Sequence, residues 1–211
     1  MREQTYDLEQ LSLQLRKRAA RLIPLVKFAR PPVDAATDRY VAHVTVEILN
    51  AWSSFTRAFY ISCALRAYTA AGTRVAVSVA GLATPSDALA LAMRKLKNRH
   101  KPFARWHEPS WHDVHNVITL VSEIGASNIN TVVGALSYPT HAFRCLPVAR
   151  NFFAHRNSDT ATKCRALSAT LPIAATWRPA DVLVQRDYTR PNNLLTEWIT
   201  DVITVADMMV K

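Results

Sequence analysis

Apolar residues recur at steps of three and four along most of the chain, the period of a helix with one buried face. The clearest stretch runs from about Ala35 to Ala70. There Val41, Val44, Ile48, Trp52, Phe55 and Phe59 hold one stripe over about five turns. A second stripe on the same predicted helix is polar: Glu47, Asn50, Ser54 and Arg57. It reads either as a solvated face or as the lining of a cleft that orients reactive groups. Ahead of it, residues 3–29 place Leu8, Leu11, Leu15, Ala19, Leu22 and Val26 at helical spacing, with Arg16, Lys17, Arg18 and Arg21 on the polar side. Pro24 is expected to kink the last turns, and Pro31 with Pro32 ends the helix.

The rest of the pattern is shorter. TRVAVSVAGLAT, from Thr73 to Thr84, alternates weakly and is expected to form at most one short strand, since Val is stiff at χ1. Ser86 reads as the cap of a helix to about Arg99, and Ser110 as the cap of one to about Ile124. A short helix is expected from Asn128 to Leu136 and another from Asp159 to about Thr170. The last is expected to begin at Pro191 and to bury Leu195, Trp198, Ile199, Val202 and Met209. No repeat, low-complexity tract or linker interrupts this order. The expectation is an all-α, up-and-down bundle of five or more helices, a single domain over residues 1–211 with about 73–140 as a helical and loop elaboration.

Composition sharpens that picture. Four Gly in 211 residues are few for a chain of tight hairpins or phosphate-cradling loops, both of which need positive φ. Apolar residues make up 49%, enough for a real core. The formal charge is +10, which favours a polyanionic partner because each neutralised phosphate releases condensed counterions. Cys63, Cys145 and Cys164 stand far apart with no CxxC pair, as expected of reduced thiols in a cytoplasm. The opening MREQTYDLEQ carries acids and no apolar run, unlike a secretory leader. No stretch of about 18 apolar residues exists, so no membrane partner is expected.

The candidate chemistry lies in CLPVARNFFAHRN, from Cys145 to Asn157. With Pro147 in the first turn of a helix that continues past His155, Asn151 and His155 share one face. Arg150 sits about 100° round, within reach of a long guanidinium. Phe152 and Phe153 point inward and fix the rotation. A cation, an amide and an imidazole then occupy neighbouring surface.

This arrangement resembles the HEPN superfamily (higher eukaryotes and prokaryotes nucleotide-binding), whose ribonuclease members carry an Arg, a polar residue, several others and then His. Arg150-Asn151-Phe152-Phe153-Ala154-His155 matches that pattern. Leu49-Asn50-Ala51-Trp52-Ser53-Ser54-Phe55 with Arg57 also looks like the second-helix signature of some prokaryotic members. The resemblance implies a HEPN-like bundle and metal-independent endoribonuclease activity without a cofactor. In such a reaction the RNA 2′-OH attacks the adjacent phosphate and leaves a 2′,3′-cyclic phosphate. His155 would move protons, Arg150 would hold the phosphate, and Asn151 would orient either group, with Glu47, Asn50, Ser54 and Arg57 in support. It also implies a homodimer whose two motifs share a cleft, and a cytoplasmic toxin or anti-phage effector with an antitoxin or defence partner. Toxins of this type silenced by a nucleotidyltransferase carry Tyr two residues after the His, a place held here by Asn157.

Arg94, Lys95, Lys97, Arg99, Lys101 and Arg105, followed by Trp106 and Trp111, suit single-stranded RNA, and Arg156 adds a cation next to the motif. A solvated loop with core-facing Trp residues fits the same run. His107, His112 and His115 cluster, but no Cys is near and only Glu108 and Asp113 are local acids, so no metal is expected. No GK[ST], GxSxG or HExxH occurs. A non-catalytic RNA- or nucleotide-binding module, or a dimeric interaction protein, remains the alternative.

Overall fold

The computed structural model describes residues 7–97, 108–171, 173–174, 178–186 and 190–211. It is all-α: α1 (Leu8–Ala20), α2 (Ile23–Val26), α3 (Ala35–Ala64), α4 (Pro85–Lys97), α5 (Val114–Glu123), α6 (Ile129–Leu136), α7 (Ala142–His155), α8 (Ser158–Ala166), α9 (Pro179–Val184) and α10 (Leu194–Met209), with a 3-10 turn at Leu167–Ala169. The described residues fall into two compact units. One draws on the described residues within Met1–Leu15, Trp52–Tyr138 and Thr204–Lys211, the other on those within Arg16–Ala51 and Pro139–Ile203. Among the described residues no helix is long and apolar enough to cross a membrane.

The long stripes behave as their spacing predicts. Every apolar position of the α3 stripe, from Val41 to Phe59, is buried, as are Leu195, Trp198, Ile199, Val202 and Met209 on α10. On α1, Leu8, Leu15 and Ala19 are buried and Leu11 is half-buried, while Arg16, Lys17 and Arg18 stay exposed. Pro24 does more than kink this segment. The first helix ends at Ala20, and a separate turn, α2, carries Pro24 near its start, where the missing N–H has no helical acceptor to lose.

In the unit containing α4, α5 and α6, aromatic packing is centred on α3. The Trp52 and Phe55 rings stack at 5.5 Å, and the Tyr60 ring lies 5.6 Å from that of Trp111. Two polar groups inside this apolar cluster are satisfied: Tyr60 OH donates to the Ala88 carbonyl at 3.0 Å, and Thr56 Oγ1 donates to the Trp111 carbonyl at 2.6 Å. The stretch from Thr73 to Thr84 forms no strand. A lone strand has no ladder partner, so its backbone bonds to loops instead. Val75 N donates to Ala67 O at 2.9 Å, Ser78 N to Ile124 O at 3.1 Å, and Ala76 O accepts from Ser127 N at 2.9 Å. Gly125, at φ 59°, allows this close approach, because a Cβ there would lie 2.0 Å from Ser78 Oγ.

Three helix starts differ from their sequence expectations, each for a capping reason. At α4, Thr84 rather than Ser86 takes the first donor: Thr84 Oγ1 accepts from Asp87 N at 3.2 Å, and Asp87 Oδ2 accepts from Thr84 N at 2.9 Å. At α5 the cap is Asp113, accepting from His115 N at 2.9 Å, not Ser110. Asn193 accepts from Thr196 N at 3.0 Å ahead of α10, so Pro191 lies outside that helix.

In the other unit, α7 packs on α8 and α8 on α9. Buried Asp181 accepts from Val33 N at 2.9 Å, and buried Asp201 accepts from Arg190 at 3.0 Å and from Thr140 Oγ1 at 2.6 Å. The three cysteines are unpaired and buried. Burial pushes the Cys63 and Cys164 thiols up to about 12, and raises Cys145 as well. Because the thiolate is the nucleophile, none should react with a maleimide at pH 8 in the native protein, and all three should react in denaturant. Rapid native labelling of any of them, read by mass spectrometry, contradicts this packing.

Candidate functional site

The motif residues sit on α7, whose rotation is set by its apolar positions. Cys145, Leu146, Ala149 and Phe152 are buried, so Asn151 and His155, on the opposite face, are exposed. Arg150 is half-buried beside them. Among the described residues Arg150, Asn151 and His155 make no hydrogen bond or ion pair, which leaves a guanidinium, an amide and an imidazole uncommitted over the last turn and a half of one helix.

The helix is longer at its start and shorter at its end than Pro147 suggests. It begins at Ala142, with Cys145 N donating to His141 O at 2.9 Å, so Pro147 lies inside it. Proline removes one donor from the ladder, while the buried face of Ala142, Cys145, Leu146 and Ala149 continues on both sides of it. His155 is the final helical residue rather than a mid-helix one. Arg156 follows in the left-handed region at φ 44°, its N–H donating to Phe152 O at 2.6 Å. That conformation is costly for a residue with a Cβ, and its side chain is correspondingly well held. Arg156 Nη2 donates to Asp38 Oδ2 at 2.7 Å, and its guanidinium lies 5.8 and 5.4 Å from the centroids of Phe152 and Phe153. Phe152 is buried and meets Phe153 edge-on at 4.9 Å, but Phe153 itself is only half-buried. Asn157, two residues after His155, caps α8 by accepting from Thr160 N at 2.9 Å.

The supporting polar stripe of α3 divides between the two units. Glu47 accepts from Arg18 at 2.6 Å, and that guanidinium, with Asn50, holds its carboxyl below the usual range. Asn50 is exposed, and neither it nor Glu47 bonds to the motif. In the other unit Ser54 is exposed, whereas Arg57 is gripped by Glu108, Nε to Oε2 at 2.6 Å and Nη2 to Oε1 at 2.8 Å. Trp111 Nε1 donates to the same carboxylate at 2.8 Å. Arg57 therefore anchors the segment around Glu108 and Trp111. With Glu108 held there and Asp113 capping α5, both acids near His112 and His115 are committed, and His107 lies outside the described residues.

Of the expected RNA-binding run, Arg94 is exposed on α4 and Lys95 pairs with Glu123 at 2.7 Å. Lys97 ends that helix, and Arg99, Lys101 and Arg105 lie outside the described residues.

The sequence reading missed a pocket of about 510 Å³ at the end of α7. Its apolar lining is Val33, Ala35, Phe152, Pro179 and Ala180, and five ionic side chains join it. Asp34 accepts from Thr37 N at 2.7 Å and so caps α3, and this bond holds its carboxyl below the usual range. Asp38 and Arg156 are paired with each other, and Arg178 donates to Val33 O at 3.3 Å. Arg39 is exposed, with no ion pair among the described residues. Of its lining, Phe152 and Arg156 stood out in the sequence beside the motif, and the further signal was the pair of acids, Asp34 and Asp38, before and inside the first turn of α3. No family model matches this chain, nor does any curated protein or solved structure.

Proposed function

We propose that the protein is a metal-independent endoribonuclease of the HEPN type, acting in the cytoplasm. The observation that carries the reading is the exposure of His155 and Asn151 on one face of α7, beside an Arg150 with no partner among the described residues. A buried imidazole with both nitrogens satisfied could not serve this chemistry. The match of Arg150-Asn151-x3-His155 to the ribonuclease motif and the +10 charge support the same conclusion.

The residues suit intramolecular transesterification of RNA. His155 accepts the 2′-OH proton as the O2′–P bond forms, Arg150 carries the charge gathering on the non-bridging oxygens, and the P–O5′ bond breaks as O5′ takes a proton. One imidazole per chain supplies one of the two proton transfers at a time. A symmetric second copy facing the first would bring a second His155 and Arg150 to the same phosphate, so a homodimer is part of the proposal. A role as a toxin or anti-phage effector, restrained by a partner protein, extends the same family analogy.

Labelled single-stranded RNA and DNA of matched sequence, incubated with the full chain in EDTA, test the reading. RNA alone should be cut, leaving 2′,3′-cyclic phosphate ends, and a single 2′-deoxy substitution at the cut site should block cleavage there. Intact RNA, cleavage of DNA, or a requirement for added metal would each overturn it.

A further inference from the structure

The pocket at the end of α7 lies next to the motif in the fold but contains none of Arg150, Asn151 or His155. Its volume, about 510 Å³, falls within the roughly 300–1,000 Å³ typical of small-ligand sites. We infer that it receives one nucleotide of single-stranded RNA flanking the scissile phosphate, with the base in the apolar part and a phosphodiester on Arg39. The inference rests on the nuclease reading for its place in a reaction, not for its chemistry.

Three observations carry it. First, the lining combines apolar surface with guanidinium groups. Val33, Ala35, Pro179 and Ala180 offer non-polar contact, and Phe152 sits under the Arg156 guanidinium. Single-stranded RNA is held by this mixture: bases lie against aromatic, apolar and guanidinium surfaces while cations follow the backbone. Second, the charges favour a singly charged phosphodiester. Asp38 pairs with Arg156, and across the whole lining Asp34 and Asp38 stand against Arg39, Arg156 and Arg178, a net charge of about +1 that suits one phosphodiester better than a triphosphate. The same carboxylates can accept from base amino groups. Arg39 remains as an exposed cation without an ion pair among the described residues. Third, pocket and motif share the last turn of α7. Phe152 precedes His155 by three residues, about 4.5 Å along the helix axis, and Arg156 follows it directly. Arg156 is thus part of the RNA-binding set expected from the sequence, through a pocket rather than through an open basic surface.

The test measures binding of a short 2′-O-methyl oligoribonucleotide to the full chain by fluorescence anisotropy. That probe cannot be cut, because its nucleophile is blocked. Arg39→Glu reverses the charge at an exposed site, and Ala35→Trp fills the pocket from the exposed first residue of α3. Arg21→Glu, an equal charge change on an exposed residue that does not line the pocket, is the control. Ala35→Trp should raise Kd about tenfold, the loss expected from one base contact, and Arg39→Glu should raise it about as much through its lost phosphate contact. Arg21→Glu should raise it far less. A dinucleoside monophosphate should compete better than a nucleoside triphosphate.

Equal weakening by Arg39→Glu and Arg21→Glu, wild-type binding by a folded Ala35→Trp, or preferred displacement by the triphosphate would each overturn the assignment. If Ala35→Trp does not fold by far-UV circular dichroism, the two arginine variants and the competition decide. The outcome is separable from the nuclease reading. Pocket-dependent binding without any RNA cleavage keeps the pocket and removes the nuclease. Cleavage by a protein whose pocket variants bind normally does the reverse.

Discussion

Replacing His155 with Ala is expected to lower RNA cleavage by about 10²–10⁴-fold, the usual loss when a general acid–base group is removed. Folding should barely change. The side chain is exposed, ends its helix and has no partner among the described residues, and substitutions at such positions stay within about 0.5 kcal/mol. The melting temperature should therefore move by no more than about 2 °C, since about 1 kcal/mol shifts a domain of this size by 2–4 °C. Binding of the uncleavable 2′-O-methyl probe should also be retained. Arg150 gives a companion result with a different shape. Arg150→Ala should lose about 10²–10³-fold in rate, as for one oxyanion donor, and Arg150→Lys should recover only part of it, because an ammonium lacks the planar fork. A His155→Ala protein that cuts RNA at the wild-type rate, with pure enzyme, would remove α7 from the chemistry.

The largest expected effect on stability is at Trp52. It is fully buried, among the largest such side chains, and its ring stacks on Phe55 at 5.5 Å. Trp52→Ala should cost about 3–5 kcal/mol, the sum of lost transfer energy and an unfilled cavity. Set against a total stability of about 5–15 kcal/mol, that is about a fifth of the margin or more. Urea unfolding followed by circular dichroism checks it: the midpoint should fall sharply, and the dependence on urea should stay the same if the unfolded state is unaltered. A loss below about 1 kcal/mol would mean that the cluster around Trp52 closes over the gap or is looser than its burial indicates.

Much of the helical frame was legible in the chain because one face of each long helix is buried, and burial imposes its period on the residues. The α3 and α10 stripes could be read directly, and with them the orientation of those helices. Short-range punctuation was less informative. Ser86 and Ser110 are good caps by residue type, but Thr84 and Asp113 stand where the backbone turns, and several cap-forming residues lay within reach of each start. The weak alternation from Thr73 to Thr84 looked like a strand because valines favour that geometry, yet no second strand exists among the described residues to pair with it. Its donors went to the turn at Ile124 and to Ala67.

For the candidate site, the residues by themselves determined the local arrangement: the i, i+4 spacing of Asn151 and His155, and the apolar positions that turn them outward. They also determined the charge balance and the all-α class. Only the tertiary structure decided which charges are spent and which remain. Arg57 is closed by Glu108, 51 positions away, and Arg156 by Asp38, 118 positions away. The pocket beside His155 exists because the starts of α3 and α9 meet the end of α7. The reason is physical: helix periodicity acts over neighbours three and four apart and is written in every turn. An ion pair or a cavity depends on where distant segments come to rest, which no local spacing encodes.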